Sequence, residues 1–165
     1  MAGIGKLCDW EMTLRKRVAA FGHRNWIVVA DAAYPLQSRT GVETVVSKAS
    51  HIDVVKAALT AIQAAKHVRS IIYMDLELDF VEESDAPGIS RLREELRMCF
   101  GEAAIHRMPH DEIIAKLDQT GSIFEILVVK SSLTLPYTSV FLELDCGYWD
   151  EAAEQRMREM MRTNS

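Results

Sequence analysis

The chain has 165 residues, 48% of them hydrophobic and 26% charged, with a formal net charge of −5. That length suits one domain with its own core, and the acidic balance argues against nucleic acid or an anionic membrane as the main partner, because both demand a basic face. The three cysteines, Cys8, Cys99 and Cys146, stand far apart and form no CxxC, which points to a reducing cytoplasm; the N-terminus lacks an apolar signal core, and no apolar run approaches the ~20 residues that span a bilayer.

In chain order, Asp9 is placed to cap a helix running to about Ala20, with Trp10, Leu14, Val18 and Phe21 as its buried stripe. Arg15, Lys16 and Arg17 lie on its solvated face. Gly22 supplies the stop, and His23, Arg24 and Asn25 turn the chain. Trp26–Ala30 is a continuous, β-branched apolar run and reads as a strand covered on both faces. It ends at Asp31, and Pro35 forbids continuation. Residues 41–46 read as a short strand. Ser50 with Asp53 three residues on marks the start of a helix to about His67, with Ile52, Val55, Leu59 and Ile62 as its stripe. Residues 68–78 read as a second firm strand, 81–88 as a loop, and 89–100 as an amphipathic helix stopped by Gly101. Residues 103–108 suggest a short strand, and Pro109 opens a helix in which proline occupies its permitted first turn. Residues 123–130 and 139–144 are further strands, and the tail from Asp150 to about Met161 is helical in composition.

Strands alternating with helices predict a single-domain α/β fold: a layered α/β/α arrangement on a central, mostly parallel mixed sheet, with an antiparallel pair near the C-terminus. The main domain is expected over 1–149 and a C-terminal helical extension over 150–165.

Several side chains carry possible chemistry. Asp31 follows a strand, where ligands of open α/β sheets bind; it would equally well close the following turn. His23 follows a helix end, where a cation is stabilised by the helix dipole as readily as it is used in chemistry. With ~3.3 Å per strand residue, a straight 24–30 segment separates His23 from Asp31 too far to bond, so sharing a site requires a bend or a neighbouring subunit. His106 and His110 have i,i+4 spacing, but Pro109 between them marks a helix start, so no metal site is expected. His110 at that start suits ligand binding. Tyr137 is either a buried aromatic or a hydroxyl offered to a ligand, and Ser139 says little alone. Cys99 reads as packing, and Met157, Met160 and Met161 as cover for an apolar surface or a subunit contact.

Together, the stretch 21–35 (FGHRNWIVVADAAYP), the stretch 106–113 (HRMPHDEI) and the stretch 135–144 (LPYTSVFLEL) resemble, in the same order, landmarks of the ribose pyranase and fucose mutarotase family. The resemblance covers about residues 7–145. It implies that His23 is the proton donor and that Asp31, His110 and Tyr137 contact the sugar. Ser139 stands where the family usually has a sugar-binding asparagine, a departure that exchanges an amide for one hydroxyl. The implied activity is interconversion of anomers, or of pyranose and furanose forms, of a free monosaccharide such as ribose or fucose, by general acid–base ring opening without metal or organic cofactor. The implied assembly is a homo-oligomer, often a decameric ring, with sites at subunit contacts. His110 leans toward the ribose-type members. The alternative reading is a non-catalytic monosaccharide-binding protein on the same fold. A third is an interaction protein docking through its methionine-rich tail.

Overall fold

The computed structural model describes residues 8–163. The order is α1 (Asp9–Ala20), β1 (Trp26–Ala30), β2 (Val42–Val46), α2 (His51–Ala65), β3 (Val68–Asp75), a 3-10 turn (Leu76–Phe80), α3 (Ile89–Phe100), β4 (Ile105–Met108), α4 (His110–Gly121), β5 (Ile126–Lys130), β6 (Val140–Cys146) and α5 (Glu151–Thr163). The six strands form one sheet in the order β2-β5-β1-β6-β3-β4. Every pairing is parallel except those of β6, which runs antiparallel to β1 on one side and β3 on the other. The mostly parallel mixed sheet is therefore present, but the expected antiparallel pair is not made by β5 and β6. β1 lies between them, and β6 is inserted between the two halves of the sheet.

The layers are unequal. On one face α1, α2 and α3 close over Ile27, Val29, Leu127, Val129, Leu142 and Leu144. On the other, α4 alone supplies Ile113 and Leu117 against Trp26, Val28, Ile126, Val128 and Phe141. All five residues of β1 are buried, as a strand covered on both sides must be. Where α4 leaves the sheet open, a polar stack takes over. Trp26 stacks on Tyr73 at 5.4 Å and Tyr73 on His106 at 5.2 Å. Lys116 lies over both Trp26 and Tyr73 and is paired with Glu143. His106 is thus a β4 residue in this stack, while His110 belongs to α4, and the two do not share a helical face.

The local signals divide between those the structure keeps and those it shifts. The Ser50 hydroxyl oxygen accepts from the Asp53 N–H at 3.1 Å and its hydrogen goes to the Asp53 carboxylate. In α1 the capping position is Cys8, not Asp9, and Glu11 reaches back to the Cys8 N–H at 3.0 Å. Gly22 is not a left-handed stop. The helix ends one residue earlier, at Phe21, in an extended conformation, because Phe21 must turn into the core. The α2 stripe is rotated from the expected one: the deeply buried positions are Val54, Val55, Ala58 and Ile62, while Ile52 and Leu59 are half-buried. Small residues face the sheet there because α2 packs close to it. β3 stops at Asp75, and 76–80 coil into the 3-10 turn rather than extending the strand. In α5 no residue is buried.

Candidate functional site

Topology sets the site. β1 and β3 point the same way and β6 the opposite way, so the ends of β1 and β3 meet the start of β6 at one edge. β4 runs with β3 and delivers α4 to the same edge. A cleft of about 290 Å³ opens there, lined by Asp31, Tyr34, Asp75, His110, Tyr137 and Ser139, with Ala33, Pro35 and Ile114 as apolar wall. Four of the residues singled out in the sequence, Asp31, His110, Tyr137 and Ser139, are thus brought together.

Each is held by local structure. The Asp31 carboxylate accepts from the Ala33 N–H at 2.7 Å, so it does close the turn while still facing the cleft. His110 is the first residue of α4, and its backbone N–H is bound by both carboxylate oxygens of Glu77 at 3.0 Å. Its ring meets Tyr137 edge-on at 5.7 Å. Tyr137 has φ +55°, a left-handed conformation rare for an aromatic residue. The Thr138 hydroxyl stabilises this turn by donating to the Leu135 carbonyl at 2.9 Å. Ser139 is buried.

Three polar cleft residues, Tyr34, Gln37 and Asp75, carry no local sequence signal of their own. Tyr34 is buried, and its hydroxyl is pushed up to about 12 by burial and by Asp118, Asp75 and Asp31. Asp75 is 1% exposed. Its Oδ1 lies 3.1 Å from His110 Nδ1, and its Oδ2 has no hydrogen-bond partner among the described residues. Burial raises the Asp75 carboxyl, the His110 hydrogen bond and charge oppose that rise, and Glu77 and Asp31 add to it. Like Asp31, Asp75 is an aspartate at the end of an apolar strand. The apolar pattern of 68–78 predicts a strand that runs through it, whereas β3 ends at Asp75.

Behind the cleft, His51 begins α2 and is buried, with Nδ1 2.8 Å from the Ser131 hydroxyl. Burial lowers it to about 4, against smaller opposing contributions from the Thr138 backbone and Asp31. A histidine depressed from 6.5 to about 4 is kept neutral by folding. As pH falls through that window, the unfolded chain takes up a proton that the folded chain refuses, so stability is lost. The loss attributable to His51 will approach about 3 kcal/mol near pH 4. His51→Gln will remove that part of the slope, measured by urea unfolding at pH 7 and pH 4.5.

His23 lies elsewhere. It precedes β1, and the five strand residues between it and Asp31 span about 16 Å. Its Nδ1 is 3.1 Å from Asp145 near the end of β6. Asp145 also takes Arg69 Nη2 at 2.6 Å and Nε at 3.0 Å. Burial would raise Asp145, but the Arg69, Cys146 backbone and His23 hydrogen bonds hold it below the ordinary range. A larger cleft of about 790 Å³ opens beside this pair, walled by Ile71, Tyr148 and Trp149. Cys99 is half-buried, and burial pushes its thiol up, as befits packing rather than a nucleophile. Among the described residues no three His, Cys, Asp or Glu side chains gather as a metal site would need, and no helix is long and apolar enough to cross a membrane.

Chemically, the first cleft offers carboxylate, imidazole and hydroxyl groups on one side and a small apolar wall on the other. Among the described residues no lysine or arginine lines it, so an anionic ligand would meet two carboxylates with no lysine or arginine beside them. That pattern suits a neutral polyol with one C–H face.

The fold is similar to that of Bacillus subtilis RbsD complexed with D-ribose, with a TM-score of 0.61 and 18% identity over 88% of this chain and 98% of that one. It is also similar to the fucose mutarotase in complex with L-fucose from Streptococcus pneumoniae, at 0.51 and 17%, covering 79% and 89%. FucU from Bifidobacterium longum scores 0.52 at 17%, covering 81% and 94%. No curated protein matches the sequence. The model of the RbsD / FucU transport protein family matches residues 11–146, from α1 to the last residue of β6, and the chain belongs to that family.

Proposed function

We propose that this protein is a monosaccharide isomerase of the mutarotase or pyranase type, acting on a free, uncharged sugar such as ribose or fucose. The observation that carries this reading is the cleft itself, in which Asp31, His110, Tyr137 and Ser139 converge without a cation. Two carboxylate or imidazole acceptors and two hydroxyls match the hydroxyls of one sugar ring, and Ile114 and Pro35 match its C–H face. Ring opening requires a proton to leave the anomeric hydroxyl and another to reach the ring oxygen. A histidine serves such transfers near neutrality. In this reading His23 is the proton donor, and since it sits a strand's length from its own cleft it acts in the cleft of an adjacent copy. The oligomer is then a catalytic requirement, and β1 is the ruler that keeps each His23 out of its own site.

The test is NMR exchange spectroscopy on the purified protein with ribose, fucose and related free sugars. Faster interconversion of anomers or ring forms with one sugar is the expected result. Saturable binding with no acceleration of any sugar overturns the enzyme and leaves the binding-protein reading, which Ser139 favours by offering less than an asparagine would. Restoring that amide is informative in either case. Ser139→Asn is expected to tighten binding of the preferred sugar roughly two- to tenfold, the worth of about one added hydrogen bond, measured by titration calorimetry.

A further inference from the structure

We propose that Asp75 is a positioning residue that fixes the tautomer of His110, making His110 Nε2 a hydrogen-bond acceptor toward the cleft and hence the second proton-handling group of the site. The inference rests on the isomerase reading above for its chemistry, but its geometry stands alone. A carboxylate only accepts, so the ring nitrogen 3.1 Å from Asp75 Oδ1 carries the hydrogen. A neutral imidazole with its hydrogen on Nδ1 has a bare Nε2. The backbone of His110 is clamped by Glu77, and its ring is braced by the edge-on contact with Tyr137. In this arrangement the remaining polar atom of the ring is Nε2.

Asp75 is an expensive way to align a ring. It is 1% exposed and lines the cleft, and its second oxygen has no hydrogen-bond partner among the described residues, so packing alone does not account for a carboxylate at this position. Retention of the carboxylate makes physical sense if the tautomer is what it supplies. The same logic orders the two protons of ring opening. Nε2 of His110 accepts the proton of the anomeric hydroxyl as that oxygen's electron pair forms the carbonyl. The bond from C1 to the ring oxygen breaks, and the ring oxygen keeps that pair and takes a proton from His23 of the adjacent copy. Closure on the other face, or through another hydroxyl, runs the two transfers backward and restores both histidines.

The experiment combines imidazole 15N NMR with kinetics on the full chain. In the wild type the His110 resonance is expected to show hydrogen on Nδ1. In Asp75→Asn, whose amide can donate to Nδ1, the hydrogen is expected to move to Nε2. That variant should lose at least ~10-fold in kcat, with a smaller change in KM, as when the carboxylate partner of a catalytic histidine is neutralised. Its melting temperature should be unchanged or higher. Asp75→Asn combined with His110→Gln should be no slower than His110→Gln alone, because the two act as one unit. An unchanged tautomer in folded Asp75→Asn, or additive losses in the double variant, overturns the proposal. Should the wild type accelerate no sugar, the isomerase reading falls, while the 15N spectrum still decides the role of Asp75.

Discussion

His23→Ala is expected to abolish catalysed sugar exchange, with a loss of at least ~100-fold, the usual worth of a positioned acid–base group. The fold will persist, since the His23 side chain is 59% exposed and its partner Asp145 keeps Arg69. The sharper expectation concerns mixtures. Asp31→Asn disables the cleft but leaves His23 intact. If each site takes His23 from one copy and Asp31 from another, oligomers formed by co-expressing the two inactive variants will contain intact sites. Random mixing gives about one site in four, so roughly a quarter of wild-type activity should return in a heterologous ring. A site built within one chain would give none, because every chain in the mixture carries a lesion. Exchange rates on the mixed and unmixed proteins separate these outcomes.

Trp26→Ala will cost about 3–5 kcal/mol, measured by urea unfolding. The residue is fully buried at the start of β1, stacked on Tyr73, with Lys116 over its ring and α4 above. Among the described residues α4 is the helix that covers that cluster, so few other groups can move in to fill the space. Trp26→Phe is expected to cost only about 1–2 kcal/mol, mostly from the smaller ring, because the indole Nε1 has no hydrogen-bond partner to lose. The pair of variants thus separates ring volume from the polar atom. An Ala variant as stable as the Phe variant would show that α4 collapses onto the sheet.

Much of this was legible in the residues. The apolar run of β1 bounded by His23 and Asp31, the Ser50 cap and the Pro109 helix start are local signals, and local physics decides them. The convergence of Asp31, His110, Tyr137 and Ser139 was legible through the order of motifs rather than through distance. Pairing was not legible, because a strand's neighbours depend on contacts far apart in sequence. β5 and β6 are consecutive yet lie on opposite sides of β1. Asp75 was hidden by the apolar residues around it, since Leu76 and Leu78 continue a strand-like pattern that the backbone abandons for a 3-10 turn. Gly22 misled for the opposite reason: its freedom to adopt left-handed angles is not used, and Phe21 ends the helix by burying its ring.

The position of β6 also orders the making of the molecule. β1, β2 and β5 form one ribbon and β3 and β4 another, and no pairing joins the two except through β6. Of the six described strands, β6 is the last to be synthesised. Until it arrives, Asp31 sits on one ribbon and Asp75 and His110 on the other, and the exposed edges of β1 and β3 wait for a single strand to seal both. Closing loops of this length is slow compared with forming local helices. Synthesis interrupted before residue 140 should therefore yield two half-sheets with open, aggregation-prone edges and no assembled cleft. The cleft comes into being in one late event, which makes ligand affinity in a nascent chain an all-or-none report of completion.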